Sequence, residues 1–189
     1  MLSWGGSMLK NKDILDEKNK ILRTKSEDVI FPMSEKDKNT IKLMIEYLTN
    51  SQIDELAKKY DLRPGMGMAA IQLGIPKRYF TVVYEKEKGN FETYIVVNPK
   101  IVSFSSEKIY VEDGEGCLSI NRPTEGIIPR AARITVEGYD INGNKIRLRV
   151  REEVSIAFQH EIDHLDGILF VDRIDKKNPF KDAEKYRAI

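Results

Sequence analysis

The sequence predicts an α+β fold: a mostly antiparallel β-sheet, one N-terminal helix and one central helix with the features of a metal-binding catalytic helix. Three observations lead to this prediction. Apolar residues recur at helical spacing in the charged N-terminal third, β-branched and aromatic residues dominate the middle of the chain, and a second helical pattern follows residue 152. Strands followed by one long helix are typical of the α+β class.

The N-terminal helix is predicted from about Glu35 to Tyr60. Its buried stripe follows the helical repeat, in which every third or fourth residue faces the core. Pro64 and Gly65 are expected to end the helix, because proline disrupts it and glycine favours a turn. The stripe consists of Ile41, Met44, Ile45, Leu48, Ile53, Leu56 and Ala57.

Five strands are predicted from segments rich in β-branched and aromatic residues. Asn142-Gly143 is a strong turn signal, so the last two strands should form an antiparallel hairpin around it. The predicted strands are Tyr79 to Tyr84, Thr93 to Val97, Lys100 to Phe104, Ile134 to Tyr139 and Ile146 to Val150.

The central helix is predicted from Glu152 to Gly167, where glycine is a natural terminator. It carries the only two histidines of the chain, His160 and His164, four residues apart with Glu161 between them. A four-residue step returns to within about 40° of the starting direction, so both imidazoles leave one face and can hold one metal ion. Glu161 lies close enough to accept a proton from a water molecule at that ion, as in the H-E-x-x-H arrangement of metal-dependent hydrolases.

A solvated surface helix is the alternative interpretation, because histidine and glutamate are common on such helices. The apolar pattern argues against it, since it places the motif on a largely buried helix, where unpaired imidazoles beside a carboxylate would be costly. The apolar residues are Val154, Ile156, Ala157, Phe158, Ile162 and Leu165.

A catalytic tetrahedral site needs a third protein ligand. The position of the third histidine of metzincin proteases holds Phe170, which cannot coordinate, and Glu184, the only glutamate after His164, lies in a short charged stretch. Cys117, the only cysteine, is the remaining candidate, since a thiolate with two imidazoles suits zinc, iron, cobalt or nickel. A lone cysteine is also often a small buried hydrophobe, and a Cys-His nucleophile is a competing use that would leave Glu161 without a role.

A third segment, from Gly65 to Gln72, reads Gly-Met-Gly-Met-Ala-Ala-Ile-Gln. Its small residues allow another chain to approach closely, and the Gln72 amide can donate to an oxyanion. Small-residue stretches also serve tight helix packing, so this segment alone leaves both interpretations open. A phosphate site is not indicated, because no lysine follows at P-loop spacing and no Rossmann pattern precedes it.

Together the three segments resemble the peptide deformylase family, whose motifs are G-x-G-x-A-A-x-Q, E-G-C-L-S and Q-H-E-x-D-H-L-x-G in this order. The chain reads GMGMAAIQ from Gly65, EGCLS from Glu115 and QHEIDHLDG from Gln159. The resemblance covers about residues 13 to 175. The short C-terminus and the longer spacing before and between the first two motifs resemble the subclass of Gram-positive bacteria.

Two residues of the first motif depart from the usual family pattern. Met66 stands where valine or isoleucine is usual, and Ile71 where many members have proline or threonine. Both are apolar, so they are expected to reshape a pocket wall without touching the catalytic groups.

The resemblance implies a metal-dependent hydrolase that removes the formyl group from the N-terminal formyl-methionine of nascent polypeptides. It implies one divalent ion per chain, with Fe²⁺ as the native ion and Zn²⁺, Ni²⁺ or Co²⁺ as substitutes. The implied ligands are Cys117, His160 and His164.

Further roles follow from the same resemblance. Glu161 would accept the water proton and deliver it to the leaving amine, while the Gln72 amide and the Leu118 N–H would stabilise the oxyanion. The residues expected to bind the substrate are Met66, Gly67, Ile156 and Ala157. The ion pair expected to orient the cysteine-bearing segment is Glu115 with Arg130.

Composition excludes several other classes of protein. The chain has 31 Lys and Arg residues and 30 Asp and Glu residues, which gives a net charge of +1. The protein as a whole therefore has no strong electrostatic field that would favour binding to nucleic acids or membranes. One cysteine excludes an intramolecular disulfide, in agreement with a reducing cytoplasm. No apolar run is long enough to span a membrane.

The expected organisation is one domain over residues 1–189, acting as a cytoplasmic monomer. Residues 1–12 are expected to be a flexible extension, natural or left by cloning, with Met8 as the original start, since no signal-peptide pattern is present. A basic C-terminal patch is a candidate for docking to the ribosome. Its residues are Lys176, Lys177, Lys181 and Lys185.

Two rival functions use the same helix. A zinc peptidase would cut unformylated peptides and take a glutamate ligand in place of Cys117. A non-catalytic protein with a structural metal site would close the fourth coordination position and would not need Glu161.

Overall fold

The computed structural model describes residues 7–189 and gives them the predicted α+β architecture. These residues form three α-helices: α1 (Glu35–Ser51), α2 (Asp54–Tyr60) and α3 (Glu152–Leu165). They also form eight strands: β1 (Gly67–Ala69), β2 (Tyr79–Glu87), β3 (Asn90–Phe104), β4 (Lys108–Tyr110), β5 (Arg130–Ala131), β6 (Arg133–Tyr139), β7 (Lys145–Arg151) and β8 (Arg187–Ala188). Short 3-10 helices lie at Asn11–Asp13, Lys20–Arg23, Ala70–Leu73, Phe170–Arg173 and Ala183–Lys185.

None of the helices within residues 7–189 has the length and apolarity that crossing a membrane requires.

Five strands make the main antiparallel sheet, in the order β1-β2-β3-β6-β7, so β1 and β7 are its edges. A smaller sheet has the order β5-β4-β8, in which β4 and β8 run parallel. The predicted hairpin is confirmed, since β6 and β7 pair with Ile134 opposite Val150 and Tyr139 opposite Lys145. Gly143, in the predicted turn, has a left-handed φ of +82°.

Strand β2 is buried on both faces, because its alternating side chains enter two different apolar clusters. Phe80 lies in the cluster that contains Phe158 of α3, and their ring centroids are 5.1 Å apart. Tyr79 and Val83 lie in the cluster that contains Met44 of α1. The sheet therefore holds α1 and α3 on opposite faces of β2.

The prediction of one continuous helix from Glu35 to Tyr60 is wrong in one respect, because the segment forms two helices, α1 and α2. The chain turns at Gln52, whose side-chain amide donates to the carbonyl oxygens of Gly65 at 3.0 Å and Val83 at 2.8 Å. Helix α2 is followed by Asp61, whose φ of +52° is left-handed, ahead of the proline and glycine expected to stop it. Contacts with distant segments therefore override the local helical pattern.

The two strands predicted at residues 93–97 and 100–104 are one continuous strand, β3. Its pairing with β6 is irregular between Val97 and Lys100, where Asn98 has a φ of +50°. A bulge of this kind lets a strand pass a proline, here Pro99, without ending.

The expected N-terminal extension, residues 1–12, is described only in part, since residues 1–6 lie outside the described range. Leu9 is 1% exposed and packs in the same cluster as α1. The Asn11 side chain donates to the carbonyl oxygen of Asp61 at 2.6 Å. Residues 9–12 therefore belong to the folded domain, and this part of the expectation is wrong.

Candidate active site

Helix α3 places His160 and His164 one turn apart, with ring centroids 5.1 Å from each other. Cys117 lies on the loop between β4 and β5, and its Sγ is 3.3 Å from Nε2 of His164. One ligand atom from each of the three residues lies within 4.8 Å of the other two. The structure thus brings the three predicted ligands together, and residues 7–189 contain no other such group of His, Cys, Asp or Glu.

The donor set fits a divalent metal ion. Nδ1 of His160 lies 2.9 Å from Oε1 of Glu115, and a hydrogen bond there leaves Nε2 for an ion. Burial lowers the pKa of His160, but its contacts with Cys117 and Glu115 raise this pKa well above its ordinary value, so the surroundings of His160 favour a positive charge. Burial holds the pKa of His164 well below its ordinary value, so this imidazole is neutral, as a metal ligand must be.

Glu161 is the carboxylate beside these ligands, and it is only 3% exposed. Its Oε2 has no hydrogen-bond partner within residues 7–189, an arrangement that is costly unless a ligand satisfies it. Burial raises its pKa to about 7, although the charges of His160 and Arg130 act in the opposite direction. A Cβ atom at Gly67 would lie 2.6 Å from Oε1 of Glu161, so glycine permits this close approach of β1.

Arg130 ties the cysteine-bearing loop to α3. It donates to Glu115 at 2.7 and 2.9 Å and to Asp163 at 2.9 Å, and Arg173 donates to Asp163 at 2.5 and 2.6 Å. Burial raises the pKa of Glu115, but the hydrogen bonds from His160 and Arg130 outweigh it and hold this pKa at about 2. The ionised carboxylate therefore also orients the His160 ring, a contact that was not predicted for Glu115.

The predicted oxyanion donors, Gln72 and Leu118, flank Cys117. Oε1 of Gln72 accepts from the N–H of Ala69 at 2.9 Å, while Nε2 donates to Oγ of Ser119 at 3.0 Å and lies 3.7 Å from Sγ of Cys117. These contacts turn the NH₂ group of Gln72 towards the cysteine. The N–H of Leu118 donates to no acceptor within residues 7–189 and so has hydrogen-bonding capacity to offer.

Arg63 holds the cysteine-bearing loop from another side, a role that sequence reasoning missed. Its guanidinium donates to the backbone oxygens of Cys117 at 3.3 Å, Leu118 at 3.0 Å and Ile120 at 3.2 Å. No sequence signal could identify this role, because the acceptors are backbone carbonyls 54 to 57 residues away. Asp163 and Arg173 were missed for a similar reason, since only the fold brings Asp163 to Arg130 and Arg173 to Asp163.

A cavity of about 390 Å³ opens beside these groups. Its wall includes all four residues predicted to bind the substrate, Met66, Gly67, Ile156 and Ala157. Ile156 is also buried in a small apolar cluster, so it lines the cavity and packs in the core at once. Two further apolar residues of the wall, Val111 and Ile189, were not predicted.

A sequence profile of the polypeptide deformylase family matches residues 11–180. The chain belongs to the polypeptide deformylase family. Deformylases are metal-dependent hydrolases that remove the N-formyl group from nascent peptides, so the family and the activity expected from the three motifs are confirmed.

Similar deformylases support the assignment over almost the whole chain. Peptide deformylase 2 of Bacillus anthracis is 49% identical over 173 residues, which cover 92% of this chain and 94% of that protein. The peptide deformylase of Shouchella clausii is 49% identical over 175 residues, which cover 92% and 96%. The crystal structure of the peptide deformylase from Thermotoga maritima matches with a TM-score of 0.68 and 32% identity, covering 89% of this chain and 99% of that one. The Bacillus relatives agree with the predicted Gram-positive-type subclass of deformylases.

The two other residues considered as metal ligands, Phe170 and Glu184, do not belong to the cluster of Cys117, His160 and His164. The ring of Phe170 stacks near His160, with centroids 5.9 Å apart. Glu184, the glutamate that a zinc peptidase would need, is exposed in the 3-10 helix Ala183–Lys185. Within residues 7–189 the one group of side chains that could hold a metal ion consists of Cys117 and the two histidines.

Proposed function

We propose that this chain deformylates formyl-methionyl nascent polypeptides with one divalent ion held by Cys117, His160 and His164. The observation that carries the proposal is the convergence of their ligand atoms, within 4.8 Å of one another, beside the buried carboxylate of Glu161. A bound ion would supply Lewis acidity, which lowers the pKa of water and polarises the formyl carbonyl. We take Fe²⁺ as the native ion and Zn²⁺, Ni²⁺ or Co²⁺ as substitutes, because thiolate and imidazole ligands suit all four and the family resemblance implies iron.

Glu161 is the proposed general base and acid. A carboxyl group whose pKa is raised to about 7 can accept the proton of the attacking water and return it to the leaving amine at neutral pH. Its Oε2 has no partner within residues 7–189, so that oxygen is available for this proton. The close contact with Gly67 limits where the carboxylate can move.

The Gln72 amide and the Leu118 N–H are the proposed donors to the formyl oxygen, which becomes negative as water attacks. Ser119 and Ala69 hold the Gln72 amide in one orientation, so little reorganisation is needed during the reaction. The loss of one such donor typically costs about 2.7–4 kcal/mol of transition-state stabilisation.

The substrate peptide is proposed to add a strand to β1, which is an edge of the main sheet. An edge strand presents unpaired backbone groups, and a peptide can pair with them near Gly67. The methionine side chain would then enter the apolar part of the cavity, against Met66, Ile156 and Ala157. An apolar pocket with few polar groups suits an unbranched thioether side chain.

We further propose that the protein works as a cytoplasmic monomer at the ribosome, where its substrates emerge. Lys181 and Lys185 pair with Asp175 and Asp182, whereas Lys176 and Lys177 have no acidic partner within residues 7–189. The unpaired lysines are therefore the stronger candidates for contact with the ribosome. Co-sedimentation of ribosomes with the wild type and with a Lys176→Glu, Lys177→Glu variant tests this contact.

The function is tested with formyl-Met-Ala-Ser and its unformylated counterpart, Met-Ala-Ser. The metal-loaded protein should release formate from the first peptide and should leave the peptide bonds of both intact. Cleavage of Met-Ala-Ser would instead indicate a zinc peptidase. Stable metal binding without any turnover would indicate a structural metal site.

A further inference from the structure

Ile189, from the C-terminal segment Arg187 to Ile189, lines the substrate cavity although this segment lies far outside the three sequence motifs. Arg187 and Ala188 form β8, and the pairing with β4 continues at Ile189, whose N–H donates to the oxygen of Tyr110 at 2.9 Å. A main-chain oxygen of Ile189 accepts from the N–H of Glu112 at 3.0 Å. Two backbone hydrogen bonds therefore fix Ile189 beside the cavity.

Arg187 anchors this segment to two elements that frame the cavity. Its guanidinium donates to Glu107 at 2.7 and 3.1 Å and to Glu152 at 2.8 Å through two nitrogens. Glu107 directly precedes β4, and Glu152 is the first residue of α3. Hydrogen bonds to two carboxylates give the Arg187 guanidinium a defined orientation. Because Ile189 follows two residues later, it is held close to the N-terminal end of α3.

The side chain of Ile189 meets the same part of the cavity as the residues assigned to the methionine pocket. It packs in the apolar cluster that contains Ile156, and both residues line the cavity. Cavity-lining residues of α3 extend from Glu161 back to Glu153, a distance of about 12 Å along the helix. Because Arg187 ties the segment to Glu152, Ile189 lies at the end of the pocket away from Glu161.

We propose that Ile189 is a specificity-determining residue that forms the far wall of the methionine pocket, with Arg187 as its positioning residue. The inference rests on the proposed function, which places the methionine side chain against Ile156 and Ala157. The size of residue 189 then sets the length of the first side chain that the enzyme accepts.

The test compares kcat/KM for formyl-Met-Ala-Ser, formyl-Phe-Ala-Ser and formyl-Ala-Ala-Ser. Ile189→Ala lengthens the pocket and should lower the Met-to-Phe ratio about 10-fold, the lower end of what missing apolar groups in a pocket produce. Ile189→Trp shortens the pocket and should lower the Met-to-Ala ratio instead. Ile30→Ala is the matched control, since Ile30 is 87% exposed and lies outside the cavity wall, and it should leave both ratios unchanged.

Arg187→Ala should shift the Met-to-Phe ratio in the same direction as Ile189→Ala, without any change to the lining side chain itself. A structural role alone would lower turnover of all three peptides equally, and that result would overturn the inference. Unchanged ratios in Ile189→Ala and Arg187→Ala would overturn it as well, even if Ile189→Trp failed to fold.

Calorimetric affinities for the unformylated peptides Met-Ala-Ser and Phe-Ala-Ser measure the same preference without turnover. Ile189→Ala should lower the affinity for Met-Ala-Ser relative to the affinity for Phe-Ala-Ser. If the wild type bound Met-Ala-Ser but released no formate from formyl-Met-Ala-Ser, the proposed function would fail, and the affinity ratios alone would decide the role of Ile189.

Discussion

Arg130 and Glu115 form a two-pronged ion pair, with N–O distances of 2.7 and 2.9 Å, between side chains that are only 3% and 4% exposed. The same carboxylate lies 2.9 Å from Nδ1 of His160. Arg130 therefore acts on the proposed metal site through one intermediate residue, and it joins the cysteine-bearing loop to α3.

Breaking this pair should strongly destabilise the fold. Arg130→Ala and Glu115→Ala should each lower the free energy of unfolding by about 3–5 kcal/mol, because each removes the two-pronged partner of a buried charge. The double variant should lose less than the sum of the two, and denaturant melts of the four proteins measure the difference. Arg147→Ala is the control, since the pair of Arg147 with Glu137 is 57% and 48% exposed and should contribute less than about 1 kcal/mol. Additive single effects would contradict the coupling.

Removal of the proposed proton carrier should separate catalysis from metal binding. Glu161→Ala should keep the metal yet lose about 10² to 10⁴-fold in deformylation, because it removes general acid-base catalysis and no metal ligand. Metal content by mass spectrometry and formate release measure the two properties. Glu161→Gln keeps the size of the side chain and should be similarly impaired. A metal-replete Glu161→Ala protein with near-normal turnover would remove the residue from this role.

The glycine next to Glu161 offers a test of its position. In Gly67→Ala the new Cβ would lie 2.6 Å from Oε1 of Glu161, so the carboxylate must shift. Because a misplacement of about 1 Å can cost roughly 10²-fold in rate, kcat should fall by about that factor. Gly116→Ala is a matched control for stability, since its Cβ would meet no atom within 4 Å. Wild-type kcat in Gly67→Ala would show that the carboxylate has room to move.

Asp37, at the start of α1, should make stability depend on pH. Its carboxylate accepts hydrogen bonds from Lys77 at 2.5 Å, Ser34 at 2.7 Å and Tyr79 at 2.9 Å. Burial raises the pKa of Asp37, but these bonds outweigh it and hold the pKa below 3.8. A carboxyl group with a lower pKa in the folded state stabilises the protein above its unfolded pKa, and this contribution is lost as the pH falls through the folded pKa.

Asp37→Asn should therefore lower the free energy of unfolding by about 1.5–3 kcal/mol at pH 7, the range for hydrogen bonds to charged groups. The difference from the wild type should shrink once the pH falls below 3.8, the ordinary pKa of this carboxyl. Urea melts between about pH 3 and pH 7 measure it. A difference that stays constant over this range would assign the effect to packing and not to charge.

The identity of the metal is tested by reconstitution. The protein is stripped anaerobically, loaded with one equivalent of Fe²⁺, Ni²⁺, Co²⁺ or Zn²⁺, and assayed for formate release before and after exposure to air. Fe²⁺ should be active and sensitive to air, Ni²⁺ and Co²⁺ active, and Zn²⁺ weaker, and the Cys117 thiolate should be prone to oxidation once the metal is lost. Equal activity with Zn²⁺ and Fe²⁺, both indifferent to air, would contradict the iron proposal and leave deformylation intact.

The sequence by itself determined the fold class, the β6–β7 hairpin and the helix that carries His160, Glu161 and His164. These features are local, since a period of 3.6 or 2 and a four-residue spacing are encoded within one element. Cys117 was reachable from residue chemistry only by eliminating other ligands, because it lies 47 residues from His164. The family resemblance supplied the order of the three motifs that joins these segments.

The tertiary structure alone decided the features that depend on contacts between distant segments. Gln52 ends α1 because its amide finds the carbonyl oxygen of Val83, 31 residues away. Arg63 holds carbonyl oxygens of the cysteine-bearing loop, and Ile189 packs in the cluster of Ile156 beside the substrate cavity. Neither periodicity nor motif spacing encodes such contacts, because they form only when the packed sheet and helices bring the segments together.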